Sequence, residues 1–161
     1  MKWYSHRVIG VSSAMMTGSF LSFADGGTIA AMVLAYLGST LPDVVEGKPP
    51  KEGSFFFKRG MLNWRTSHRG VSHWFGWYIT LAIAGWLYFP VLAWLGIGAL
   101  SHLAADSLTP MGVPLYPFSK KKMMSFRLFA TGSIYEMLFT CILMACAAYY
   151  ATNYINGLRI I

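Results

Sequence analysis

Residues 74–101 read WFGWYITLAIAGWLYFPVLAWLGIGALS and contain no charged side chain. As one helix, kinked at Pro90 and rising about 1.5 Å per residue, the stretch would run roughly 40 Å and hold the flanking His73 and His102 on opposite faces of a membrane. As two segments turning at Pro90, it returns His102 to the side of His73. The distribution of charge favours the turn. Five apolar segments, roughly 8–24, 28–42, 74–89, 91–105 and 134–155, with the N-terminus in the cytoplasm, put Lys2, Arg7, Lys48, Lys51, Lys58, Arg59, Arg65, Arg69, Lys120, Lys121, Lys122 and Arg127 on one side. Only Arg159 of the 13 basic residues falls opposite, as the positive-inside bias expects. Trp86, Tyr88, Phe89 and Trp94 around Pro90, with Tyr149, Tyr150 and Tyr154, then form the far aromatic belt.

Composition agrees. The 161 residues suit a single domain, 1–161, and 55% of them are hydrophobic while only 12% are charged, against about 25% charged in ordinary soluble domains. An all-α membrane protein of about five embedded helices is expected. Several segments are short for a hydrocarbon core that needs about 20 helical residues. The first follows Lys2 and Arg7 like a secretory signal, but its small residues Ser12, Ser13, Ala14, Gly18 and Ser19 suit a retained membrane helix that packs closely. Cys141 and Cys146 are five apart in an apolar run, on different helix faces, and read as reduced packing residues.

The net charge of +7 raises the question of nucleic acid, yet no aromatic-lined basic groove is evident. Phe55-Phe56-Phe57-Lys58-Arg59 and the run from Lys120 to Arg127 mix cations with large apolar groups, a pattern suited to the surface of an anionic leaflet. Membrane lipid is the expected partner.

The turn at Pro90 has a chemical consequence. It gathers His6, Asp43, His68, His73, His102, Asp106 and Glu136 at one membrane edge, and imidazole and carboxylate are the groups that bind zinc or manganese. His102 and Asp106, at i and i+4, share a helix face. His68 and His73 can both ligate only across a turn, which Gly70 permits. Glu136 lies in an otherwise apolar segment and needs a partner, whether a metal or a salt bridge to Arg127 or Arg69. Arg69 offers a planar fork of donors for phosphoryl oxygens, or an anchor for a headgroup.

Leu41-Pro42-Asp43-Val44, His68-Arg69-Gly70-Val71-Ser72-His73, the block from Ser101 to Leu115 and Gly132-Ser133-Ile134-Tyr135-Glu136 resemble, in order, signatures of the YdjM-type inner-membrane metal-dependent hydrolases. The resemblance implies a helical membrane fold, kinship with zinc-dependent phospholipase C and P1-type nucleases, and binding of the SOS repressor LexA. It also implies ligand roles for His6, Asp43, His68, His73, His102, Asp106 and Glu136. The family's second acid, two residues after the first, is Val45 here, with Glu46 one position further on.

The expected function is hydrolysis of a phosphoester, most simply a phosphorylated lipid, at the cytoplasmic edge of the inner membrane. Two or more divalent ions, zinc or manganese, would activate water, with Asp43 or Asp106 bridging. Glu136 would act as ligand or general base and Arg69 as the phosphoryl clamp. Two other classes remain open: a haem or metal carrier with His73 and His102 as axial ligands, and a non-catalytic regulator that recruits a partner through its basic loops.

Overall fold

A computed structural model describes residues 1–20, 27–47, 69–117 and 119–158. The uncharged stretch forms two helices, α4 (Phe75–Tyr88) and α5 (Pro90–Ser107), packed against each other as a hairpin. The Phe89 N–H donates to the Gly85 carbonyl at 2.8 Å and ends α4. Pro90 then opens α5, where its missing N–H costs nothing and its fixed φ suits the first helical turn. A Cβ on Gly85 or Gly96 would overlap the backbone of the facing helix, so the two chains meet main chain to main chain.

Three more helices complete the bundle: α1 (Trp3–Phe20), α2 (Gly27–Gly38) and α6 (Ile134–Leu158). Helix α1 packs on α2, α5 and α6, and α2 crosses α5. At that crossing a Cβ on Gly38 would overlap the Leu95 carbonyl, and one on Gly98 the Ala35 carbonyl. The second apolar segment breaks after Gly38 and resumes as a short helix, α3 (Leu41–Glu46), with Pro42 in its first turn. A 3-10 turn, Val71–His73, leads into α4.

One element departs from the all-helical expectation. Strands β1 (Val113–Tyr116) and β2 (Ser119–Met124) pair antiparallel, with Val113 opposite Met124 and Tyr116 opposite Ser119. Gly112 starts the hairpin at φ 65°, where a Cβ would strike the Met124 carbonyl. Returning from β2, Phe126 and Leu128 donate N–H bonds of 2.8 Å to the carbonyls of Ser107 and Leu108, which the end of α5 leaves open. The hairpin therefore straps the end of α5 that carries His102 and Asp106.

Large apolar side chains cover the outside, among them Ile29, Leu37, Ile83, Leu87 and Ile142, while His73, His102, Asp106 and Glu136 are buried. This is the reverse of a soluble protein, in which charged groups are almost never fully buried. Among the described residues, Ile29–Glu46 and Ile134–Asn153 are long and apolar enough to cross a membrane, and Phe75–Tyr88 is apolar but shorter. Cys141 and Cys146 are free and lie on the exposed surface of α6, not in the interior.

Candidate metal centre

Three helix ends and the 3-10 turn converge at one end of the bundle. The His73 and His102 rings lie 5.4 Å apart, as the turn at Pro90 requires. On α5, His102 and Asp106 are stacked one turn apart, and both are buried.

The orientation of each imidazole follows from its partners. The Nδ1 of His102 lies 2.6 Å from the Ser39 carbonyl, which can only accept, so Nδ1 holds a proton and Nε2 is the atom left to act as a metal donor. The break between α2 and α3 brings that carbonyl into reach. The Nδ1 of His73 sits 3.1 Å from Glu46 Oε2 and 3.0 Å from Ser72 Oγ, which turns its Nε2 the other way.

Both Nε2 atoms then face the same two carboxylates. Asp43 Oδ1 is 3.5 Å from His73 Nε2 and 3.7 Å from His102 Nε2. Asp106 Oδ2 is 3.8 Å and 3.6 Å from the same pair. These spacings are too long for hydrogen bonds, and the buried His102 Nε2 has no hydrogen-bond partner among the described residues. An Nε2 facing two carboxylates in this way is stabilised by a positive charge between them, a proton or a metal cation. Asp43, His73 and His102 each offer one donor atom within 4.8 Å of the others, a set of two nitrogens and one oxygen of the kind that binds a zinc-like ion, with Asp106 Oδ2 beside it.

Electrostatics point the same way. Burial disfavours charge on His73, but the carboxylates of Asp43, Glu46 and Asp106 around it outweigh burial and raise its pKa above the ordinary value. The carboxylates around this point favour a positive charge.

His6, His102 and Asp106 form a second close group. The His6 ring stacks on His102 with centroids 3.7 Å apart, and its Nε2 is 3.3 Å from Asp106 Oδ1. That oxygen is already occupied, because the Met1 amine and Arg69 Nη2 each lie 2.7 Å from it. The group of Asp43, His73 and His102, with Asp106 Oδ2 facing the two histidines, keeps its carboxylate oxygens freer than the second group does.

Two expected residues take other positions. Arg69, read as a phosphoryl clamp, is buried and turned inward; besides Asp106 it donates through Nη1 to Thr109 Oγ1 and the Gly112 carbonyl, each at 3.2 Å. Its φ of 53° is left-handed, a conformation that costs an L-residue about 1–2 kcal/mol, and its backbone N–H is held by the Glu46 carboxylate at 3.2 Å. Arg69 thus fixes Asp106 and has little capacity left for a substrate. Glu136, read as ligand or base, joins neither group among the described residues. Its carboxylate accepts bonds from Ser5 Oγ at 2.6 Å, Gly132 N at 2.7 Å and Lys2 N at 2.9 Å, stitching the start of α1 to α6. Glu136→Gln is therefore expected to cost about 1–3 kcal/mol of stability with metal content unchanged, as thermal unfolding in detergent and elemental analysis would record.

His68 lies outside the described residues. Glu46 emerges as a functional residue: Val45 is exposed, whereas the Glu46 side chain is 6% exposed and orients His73. Its position three residues after Asp43, on the same helix face, was the available signal.

A match to the YdjM inner membrane protein family covers residues 1–160. The chain belongs to that family. Its membership makes this an inner membrane protein and agrees with the apolar exterior described above. No curated protein and no solved structure matches this YdjM family member.

Proposed function

We propose that this YdjM family protein is a multi-pass, metal-dependent hydrolase of phosphoesters, with five membrane-embedded helices and its site facing the cytoplasm. The observation that carries the reading is the set His73 Nε2, His102 Nε2, Asp43 Oδ1 and Asp106 Oδ2, with nitrogen-to-oxygen spacings of 3.5 to 3.8 Å. Two nitrogens and two oxygens suit zinc or manganese. When bound, such an ion polarises a phosphoryl oxygen and lowers the pKa of water.

The remaining work falls to the chain. The Asp43 side chain is 50% exposed while the other three donors are nearly closed off, so substrate would enter past Asp43. Its second oxygen would accept a proton from the attacking water. Arg69 holds Asp106 by Oδ1, which keeps Oδ2 toward the histidines. Ser39 and Glu46 hold the ring proton of each imidazole and so keep each Nε2 available. A phosphorylated lipid is the substrate class that a site at headgroup depth meets most often.

The test is elemental analysis of protein purified in detergent and incubated with zinc or manganese, followed by hydrolysis of a short-chain phospholipid with and without chelator. At least one ion per chain, lost in His102→Ala, and chelator-sensitive turnover are expected. Wild-type protein without bound metal, or equal metal in wild type and His102→Ala, would remove the centre on which the proposal stands.

A further inference from the structure

Arg7 takes no part in the centre, yet it is held with unusual care. Trp3 and Arg7 are four residues apart on α1 and so stack on one face. The guanidinium carbon lies 4.3 Å from the Trp3 ring and 4.9 Å from the ring of Tyr36 on α2. The guanidinium thus lies over two aromatic rings, a contact that Arg favours.

The rim of the group is a different matter. Its Nε is shielded from solvent and has no hydrogen-bond partner, and among the described residues Arg7 donates no hydrogen bond and meets no carboxylate. Trp3 and Tyr36 themselves face outward, 62% and 37% exposed. Among the described residues its N–H groups therefore have no acceptor, and the fork they form matches a phosphate.

Position links this group to the centre. Arg7 follows His6 directly, and Tyr36 lies one turn before Ser39, whose carbonyl holds His102. We propose that Arg7, lying over Trp3 and Tyr36, is a subsite for the phosphate group of an anionic ligand beside the candidate centre. The subsite deepens the hydrolase reading and rests on it only for the link to turnover. Phosphate at this point comes from an anionic lipid headgroup or from free phosphate in the cytoplasm.

The experiment measures binding of dihexanoyl phosphatidylglycerol and, separately, of inorganic phosphate to the full chain in neutral detergent, by isothermal titration. Arg7→Gln is expected to weaken the probe that binds at least tenfold; Arg7→Lys, which keeps the charge and loses the fork, should fall between. Trp3→Leu should also weaken it, and Lys122→Gln, which removes an exposed cation from β2, should not. Whichever probe shows this pattern identifies the source of the phosphate. Binding by neither probe, equal binding in wild type and Arg7→Gln, or equal losses in Arg7→Gln and Lys122→Gln would overturn the subsite. Metal content is read on the same samples, and its retention in Arg7→Gln separates failure of the subsite from failure of the centre.

Discussion

Asp106→Asn is expected to abolish the proposed cation binding and to leave the protein less stable by about 3–5 kcal/mol, the cost of removing one partner from a buried ion pair. The carboxylate is 2% exposed and serves two sides at once. Oδ1 meets the Met1 amine, Arg69 and His6, while Oδ2 faces His73 and His102. Asparagine keeps the shape and removes the charge, so the Arg69 guanidinium and the amine would remain buried without compensation. Elemental analysis and the unfolding midpoint in detergent measure the two losses independently. Wild-type values for both would show that the buried charges are balanced elsewhere.

Gly98→Ala should be nearly as damaging, although it touches no candidate ligand. The added methyl group would overlap the Ala35 carbonyl, and a rigid main-chain neighbour cannot yield as a side chain can. Helices α2 and α5 must separate, at a cost of about 1–3 kcal/mol for overpacking. The same movement carries the Ser39 carbonyl away from His102 Nδ1, so cation affinity is expected to fall about 10- to 100-fold, as for other losses of an orienting partner. Gly18→Ala is the control, because among the described residues its new methyl would meet only the Trp94 ring, at 3.9 Å. Equal metal affinity in the two variants would show that the helix crossing does not orient His102.

The helical order of the fold was legible because it rests on local signals. Pro90 within an uncharged run, together with basic residues crowded on one predicted side, was sufficient to expect the α4–α5 turn and the meeting of His73 with His102. The i, i+4 spacing likewise anticipated the shared face of His102 and Asp106. The strand pair was not legible, because β1 is only four residues long and gains its order from Gly112 and from the strap over α5. The hydrogen-bond partners of Arg69 and Glu136 were not legible for a related reason. Residue type reports what a group is able to bind, but the partners that claimed them, Thr109, the Gly112 carbonyl, Ser5 and the Lys2 amide, are brought close only by tertiary packing. The Ser39 carbonyl was invisible for the same reason, since a backbone oxygen leaves no mark in composition.

The Glu136 stitch also bears on biogenesis. Glu136 leaves the ribosome after every other member of this buried polar end, yet it grips the segment made first. Until the last helix has entered the bilayer, the backbone around Ser5 lacks its clasp and His6 its fixed bearing. The polar end of the bundle is thus closed by a contact between the start of α1 and the last helix, the two most distant described helices in the chain.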